Sequence, residues 1–168
     1  MGMYPKFEGV PIAAYDKMVE DLWARAKRES GLSDSELVKR DLRPEDLGLS
    51  NPTWTFALTS TVGYVAMINT ASIADLRWVG ICGLCYTNAA PTVNQLKINR
   101  AGSDARIWNI QEAQYNENAS IWVDDPVTIG QNEVLTVYQY CSGATTQAAE
   151  LIVFLGAVVE KRGILVNP

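Results

Sequence analysis

The sequence of 168 residues contains no histidine. Histidine is the most common general base in enzymes and a frequent ligand of transition metals, because its imidazole changes charge near physiological pH. Its absence excludes serine–histidine and cysteine–histidine nucleophile pairs and every histidine-ligated metal site. We therefore predict that the protein is not an enzyme and that it uses no metal or other cofactor.

The sequence also lacks long basic and long apolar segments. Its net charge is -5 and its basic residues occur at most in adjacent pairs, so we expect no nucleic-acid partner. A transmembrane helix needs about 20 consecutive apolar residues, whereas polar and charged side chains interrupt the most apolar segment, residues 56–86. The first residues show no apolar stretch typical of a secretory signal. We expect no membrane span.

The charged residues are distributed unevenly along the chain. Residues 1–50 contain 8 basic and 10 acidic side chains, whereas residues 51–168 contain only 6 and 9. Apolar residues at spacings of three and four from Ala14 to Ala26 predict one amphipathic helix, which Gly31 would end. We predict an N-terminal helical arm over residues 1–50 and a β-domain over residues 51–168.

Two shorter helices are predicted in the remainder of the arm. Ser33 and Glu36 have the spacing of a capping box, which favours a helix from there to about Arg40. Pro44 fits the first turn of another brief helix and Gly48 fits its end. These signals extend the helical prediction over most of the arm.

Short segments rich in β-branched and aromatic residues follow residue 52. Polar and apolar residues alternate most clearly at 95–99 and 133–140, as in strands with one buried face. Turn-forming residues separate the segments, and no helical pattern lies between them. We predict a mainly β fold, a jelly-roll-like β-sandwich of about eight strands behind the helical segment. The predicted strands are 54–59, 62–68, 76–86, 92–99, 105–111, 120–123, 127–129, 133–141 and 150–160.

Three cysteines are present, and Cys82 and Cys85 have a Cys-x-x-Cys spacing. A thiol in such a pair is reactive when a helix begins directly after it, because the helix N-terminus lowers the thiol pKa. Here the chain continues into a turn at Pro91, and only Cys141 remains toward the four ligands of a structural zinc site. We predict buried, unreactive thiols, with a thiol enzyme using Cys82 and Cys85 as an alternative.

Two aspartates, Asp124 and Asp125, precede Pro126 in a polar stretch. Carboxylate oxygens are ligands that Ca²⁺ prefers, but the regular one-three-five spacing of a calcium loop is missing here. We predict a polar turn that leads into the strand 127–129, with a calcium site as the alternative.

Eight tryptophan and tyrosine residues lie within the predicted strands. Aromatic side chains in strands most often fill the core, but several on one exposed sheet face would form a platform for sugar rings. A carbohydrate-binding β-sandwich module is therefore the alternative function. The residues are Trp54, Trp78, Trp108, Trp122, Tyr64, Tyr86, Tyr138 and Tyr140.

The low charge of the β-domain bears on its surface. Monomers usually cover themselves with more charged side chains, and a neutral polar and apolar exterior fits large subunit contacts. We predict self-assembly into a homo-oligomer. For the helix, packing on its own domain is the simpler interpretation and docking on a neighbour is the other. The candidate subunit contacts are Met18, Leu22, Trp23, Ile164, Leu165 and Val166.

The order of the predicted elements resembles a known class of proteins. An arm precedes about eight strands, and residues 125–130 lead into the strand 133–140 and then into residues 151–160. Over residues 54–162 this pattern is similar to single jelly-roll capsid and head-decoration proteins of bacteriophages and other viruses. The resemblance implies a virion structural protein, assembled in the host cytoplasm, that forms a symmetric oligomer, typically a trimer, and contacts other capsid proteins. It assigns no functional residue.

Overall fold

The computed structural model describes residues 10–57, 62–88, 92–116, 119–142 and 150–164. One α-helix, α1, occupies Val10–Ser30, and 3-10 turns occupy Asp34–Glu36, Pro44–Leu47 and Ile110–Tyr115. Nine strands account for most of the other described residues. They are β1 (Leu37–Asp41), β2 (Thr55–Phe56), β3 (Gly63–Ser72), β4 (Arg77–Tyr86), β5 (Val93–Arg100), β6 (Ser103–Asn109), β7 (Ser120–Ile129), β8 (Val134–Cys141) and β9 (Glu150–Lys161).

The strands form two antiparallel sheets, which confirms the predicted mainly β fold. Sheet 1 has the order β1-β9-β4-β7, with the short β2 also paired to β9, and sheet 2 has the order β3-β8-β5-β6. Buried side chains from both sheets form one continuous core. Each fully buried leucine or isoleucine in it contributes about 1.5–3 kcal/mol to stability.

The strand pairing is that of a jelly roll. Apart from the two-residue β2, the first long strand pairs with the last, the second with the seventh, the third with the sixth and the fourth with the fifth. These four pairings fold the chain back on itself like one long hairpin. Two further pairings, β4 with β9 and β5 with β8, roll this hairpin up into a sandwich. The result is two sheets packed face to face, each with four of these eight strands, the jelly-roll form of the sandwich.

The connections at the two ends of the sandwich differ. At one end, the turn end, residues 73–76, 101–102 and 130–133 make short connections. At the opposite end, the link end, longer connections join β4 to β5, β6 to β7 and β8 to β9. Non-glycine residues seldom adopt positive φ, yet each turn-end connection contains one that does. These are Leu76 (56°), Ala101 (49°) and Asn132 (62°).

The helix predicted from Ser33 to about Arg40 is wrong. One hydrogen bond of the capping box forms, from the Ser33 amide to Glu36 Oε2 at 2.9 Å, and the Glu36 amide donates to the backbone carbonyl oxygen of Ser33 at 3.0 Å. They close a single 3-10 turn, after which the chain extends as β1 and pairs with β9. Pairing with the last strand overrides the local helix signal, so this part of the predicted arm belongs to sheet 1.

The turn predicted at Asp124 and Asp125 lies inside a strand. β7 runs through this segment at the edge of sheet 1, and its register with β4 shifts there. Residues 123–126 therefore bulge out of the ladder, and a bulge on an edge strand is where a sheet accommodates a proline such as Pro126. The turn predicted between two strands is therefore a bulge within one strand, and the chain does not reverse its direction there.

Helix α1 covers the outer face of sheet 1. Its apolar stripe, Met18, Leu22 and Ala26, is fully buried and packs with apolar side chains of β4 and β9. Gly80 of β4 permits this close approach, because a Cβ there would lie 2.6 Å from Leu22 Cδ1 and 2.7 Å from Met18 Cγ. A Cβ on Gly156 of β9 would collide with the Gly80 carbonyl oxygen. Both glycines therefore mark close approaches.

Polar contacts of Arg25 attach the C-terminal half of α1 to the turn end. Its guanidinium donates to the Thr128 carbonyl oxygen at 3.0 Å, to Glu133 at 2.8 Å and to Glu29 at 2.7 Å. Glu29 also accepts a hydrogen bond of 2.7 Å from Trp78 Nε1. These bonds connect the helix to both β4 and the β7–β8 connection.

A buried group of four charged side chains, the ion cluster, holds the edge strand β1. Arg40 of β1 donates to Asp46 at 2.6 Å from two nitrogens, and to Glu160 of β9 at 2.9 and 3.1 Å. Arg77 of β4 donates to Glu160 at 2.9 Å. The four side chains are between 1% and 15% exposed. Two positive and two negative charges compensate each other, which makes their burial tolerable.

Candidate functional site

The outer face of sheet 2 carries exposed side chains, in contrast to the helix-covered face of sheet 1. Two rows of residues cross all four strands in register. Tyr64, Tyr140, Gln95 and Asn109 form the first row, and Ala66, Tyr138, Lys97 and Ile107 form the second. We call the set Tyr64, Tyr138, Tyr140, Gln95, Lys97 and Asn109 the tyrosine face.

A chain of hydrogen bonds runs along the first row. The Tyr64 hydroxyl donates to Gln95 Oε1 at 2.8 Å, and Gln95 Nε2 donates to Asn109 Oδ1 at 2.6 Å. The Tyr140 ring meets the Tyr64 ring at a centroid distance of 5.1 Å and an angle of 60°, a stable geometry for aromatic pairs. These contacts fix the orientation of side chains that lie on an exposed surface.

Lys97 is the cation of the second row. Its Nζ lies 4.4 Å from the centroid of the Tyr64 ring and 5.1 Å from that of Tyr138, within the range of cation–π attraction. Asp104 of β6 lies 3.6 Å from the same Nζ. The positive charge is therefore compensated within the sheet, and the tyrosine face is close to neutral.

Most other aromatic residues that we considered as a sugar platform are in the interior. Trp78 and Tyr86 are fully buried and Trp108 is 4% exposed. Trp54 and Trp122 are partly buried against the cores. Of the eight aromatic residues, only the three tyrosines of sheet 2 therefore share one outward face.

Several exposed apolar side chains from separate segments lie at the link end. Val62 is 56% exposed, Tyr115 90% and Leu151 48%. Val62 precedes β3, Tyr115 ends the 3-10 turn after β6 and Leu151 is near the start of β9, and all three positions are at this end of the sandwich. Exposed apolar side chains of this kind are candidates for contacts with a partner.

A buried carboxylate lies beneath the link end. Glu150 is 1% exposed, and its Oε1 accepts hydrogen bonds from Asn88 at 2.6 Å and Thr92 at 2.9 Å. Its other oxygen, Oε2, is also buried. Burial raises the pKa of the neighbouring Tyr86 to about 12. The two bonds tie the β4–β5 connection to the start of β9.

A polar cavity of about 350 Å³ lies between β6 and β7 and was not anticipated from the sequence. Arg100 on its wall donates to the Thr128 carbonyl oxygen at 2.8 Å, and Arg106 donates to the Asp125 carbonyl oxygen at 2.7 Å. Asp104 and Asp125 also line it. The arginines thus face carboxylates and carbonyls of their own chain, which is unfavourable for binding an anion.

The three cysteines are in surroundings that suppress their reactivity. Burial raises the pKa of Cys82 to about 12, and its thiol donates to the Leu155 carbonyl oxygen at 3.5 Å. Burial also raises the pKa of Cys85 and of Cys141. Because the thiolate is the reactive form, the raised pKa values disfavour reaction at these thiols.

The predicted subunit contacts have different positions. Met18 and Leu22 are 0% exposed and belong to the chain's own core, so they cannot contact a neighbour in this fold. Trp23 is partly buried and donates from Nε1 to Asp34 at 2.7 Å. Ile164 is 38% exposed. Leu165 and Val166 lie outside the described residues.

Asp124 and Asp125, considered for calcium, have exposed side chains. Across the described ranges, no three His, Cys, Asp or Glu side chains come together as metal ligands would. In the same part of the chain, no helix is both long and apolar enough to cross a bilayer.

The arrangement of the tyrosine face is only partly visible in the sequence. Alternation at 95–99 and 133–140 places Gln95 with Lys97, and Tyr138 with Tyr140, on common faces of their strands. Only the register of β3, β8, β5 and β6 shows that these pairs and Tyr64 are neighbours.

No protein-family model matches this chain, and no curated protein matches its sequence.

Proposed function

We propose that this chain is a structural subunit of a virion, a capsid or capsid-decoration protein that acts by self-assembly and not by catalysis. The observation that carries the proposal is the jelly-roll pairing of the strands in its two sheets. Viral capsid proteins share this architecture with lectins and cupins. The thinly charged β-domain adds support for subunit contacts.

Contacts between subunits would form at the link end. Val62, Tyr115 and Leu151 present apolar surface there, and burying it against a copy of the chain would stabilise an oligomer by the hydrophobic effect. A symmetric ring of copies, a trimer in the simplest case, would cover this surface and leave the outer face of sheet 2 free. Other capsid proteins would be the further partners.

The mass in solution tests this proposal. We expect light scattering coupled to size exclusion to show a trimer or a larger assembly at high micromolar concentration. A double variant, Tyr115→Asp with Leu151→Asp, should shift the mass toward that of one 18.5 kDa chain, because charged groups would have to be buried in the contact.

Val134→Asp is the matched control, because Val134 is 46% exposed and lies at the turn end. It should leave the mass unchanged. A wild-type chain that is monomeric at these concentrations, or a mass that the link-end variant leaves unchanged, would contradict assembly through the link end.

A further inference from the structure

The tyrosine face has an exposed ring laid along the sheet. Tyr64 is on β3 and Gln95 is on β5, with β8 between them. Neighbouring strands are about 4.8 Å apart, so the Tyr64 side chain must extend across β8 for its hydroxyl to reach Gln95. The Tyr64 side chain is nevertheless 41% exposed, so an apolar surface held in one orientation is open to solvent.

Hydrogen-bonding groups lie beside this ring. The chain from Tyr64 to Asn109 uses one N–H of the Gln95 amide and one lone pair on each amide oxygen. A primary amide has two N–H donors and two lone pairs. Among the described residues, Gln95 and Asn109 therefore keep donor and acceptor capacity, and their mutual bond fixes the direction in which they offer it.

The charge of the face defines the chemistry of a partner. The two rows and the neighbouring row of Thr136, Asn99 and Asp104 contain one lysine and one aspartate, which pair with each other. Binding an anionic polymer needs uncompensated positive charge, and none is present in these rows. The face is complementary to a neutral ligand with both apolar and hydroxyl surfaces.

We infer that the tyrosine face binds a neutral saccharide. The C–H face of a pyranose ring would pack on the exposed Tyr64 ring, and the sugar hydroxyls would exchange hydrogen bonds with the Gln95 and Asn109 amides. Tyr138, Tyr140 and Lys97 act as positioning residues that hold Tyr64. The inference does not rest on the proposed function, although a free sheet 2 face in an assembled particle would make the site accessible to glycans.

The experiment is a glycan array with neutral and sialylated oligosaccharides, probed with the full chain. Isothermal titration would follow, with cellohexaose, laminarihexaose, mannohexaose and N-acetylchitohexaose at millimolar concentration. We expect binding to at least one neutral glycan and no gain from sialic acid. Because no ionic contact is involved, affinity should change little between low and high salt.

The variants assign the site. Tyr64→Ala should weaken the affinity by about tenfold, the loss expected for one aromatic contact. Gln95→Ala should weaken it as well, while Tyr64→Phe, which keeps the ring and loses the bond to Gln95, should have an intermediate effect. Ile12→Ala is the control, since Ile12 is 40% exposed on α1 and lies outside both the tyrosine face and the link end. Thermal melts of each variant check that the fold persists.

The outcomes separate this inference from the proposed function. No binding to any neutral glycan, or binding that Tyr64→Ala leaves unchanged, overturns the saccharide site whatever the oligomeric mass. If Tyr64→Ala instead lowers the oligomeric mass and glycan binding is missing, the face is a protein contact and the inference is wrong. Glycan binding by a monomer would retain the site and contradict the assembly proposal alone.

Discussion

Arg40 and Glu160 join the first strand of the jelly roll to the last through two hydrogen bonds, 2.9 Å from Nε to Oε1 and 3.1 Å from Nη2 to Oε2. Both side chains are almost completely buried. A guanidinium that binds a carboxylate in this bidentate way is oriented as well as neutralised. The contact therefore positions β1 on β9 and compensates a charge that water does not reach.

Replacing Arg40 by alanine would leave Arg77 as the one cation in the ion cluster for the carboxylates of Asp46 and Glu160. We expect Arg40→Ala to lower the free energy of unfolding by about 3–5 kcal/mol in urea denaturation. Arg43→Ala removes an exposed arginine nearby and should cost less than about 0.5 kcal/mol. Equal losses in the two variants would show that the ion cluster does not hold β1.

The contact between α1 and β4 at Gly80 predicts a coupled pair of substitutions. Gly80→Ala places a methyl group against Met18 and Leu22, and we expect it to cost about 1–3 kcal/mol. Met18→Ala removes atoms from the same place, so the double variant should lose less than the sum of the single losses. Gly156→Ala meets a backbone carbonyl, and Met18→Ala should not rescue it. Additive losses at Gly80 and Met18 would contradict the close packing.

Acid should weaken the attachment of α1 at the turn end. Burial alone would raise the pKa of Glu133, but hydrogen bonds from the Gly130 amide and Arg25 lower it below the usual 4.5. A carboxylate whose pKa is lower in the folded than in the unfolded state stabilises the protein at pH values above its unfolded-state pKa. This stabilisation is lost as the pH falls through the folded-state pKa. The difference in melting temperature between wild type and Glu133→Gln should therefore shrink from pH 7 to about pH 3.

Glu20→Gln is the control for this pH series, because Glu20 is exposed on the same helix. Its melting temperature should follow that of the wild type across the series. A wild-type advantage over Glu133→Gln that stays constant down to about pH 3 would mean that the charge of Glu133 does not act in this contact.

The sequence of the connection between β5 and β6 is not the one that best suits its backbone conformation. Ala101 and Gly102 have φ values of 49° and 84°, and Arg100 pairs with Ser103 across them. A two-residue hairpin with both φ values positive is a type I′ turn, in which Asn-Gly is preferred. We expect Ala101→Asn to stabilise the protein by about 0.5–1 kcal/mol, as relief of left-handed strain does. Calorimetry should show a higher melting temperature for Ala101→Asn and a lower one for Ala101→Val.

Much of the β-domain was predictable because its strands carry their own signals. The alternation in residues 133–140 and the glycines of β4 are local features, and β8 and the close approach at Gly80 agree with them. β1 was missed because the capping signal at Ser33 is stronger than the strand propensity that follows it. What makes those residues a strand is the ion cluster around Arg40 and the ladder with β9, and both depend on distant parts of the chain.

The candidate sites were likewise predictable only in part from the sequence. The stripe of Met18 and Leu22 was correctly predicted as helical, but the sequence does not show whether such a stripe is buried by its own sheet or by a neighbour. Aromatic residues in strands could be counted from the sequence, yet their sorting into core and surface depends on register. Tyr86 and Tyr138 both lie in predicted strands, and the sheet topology shows that the first is buried and the second partly exposed.

Because the two ends of the sandwich have connections of different length, this fold should tolerate sequence variation better at one end than at the other. Each short connection at the turn end fixes the pairing of the strands it joins, so an insertion there would have to change the register of a whole hairpin. The longer connections at the link end carry no such constraint, and lengthening a surface connection costs little entropy. Homologous chains could therefore diverge in length and composition at the link end while the two sheets stay the same, much as antigen-binding loops vary on a constant framework.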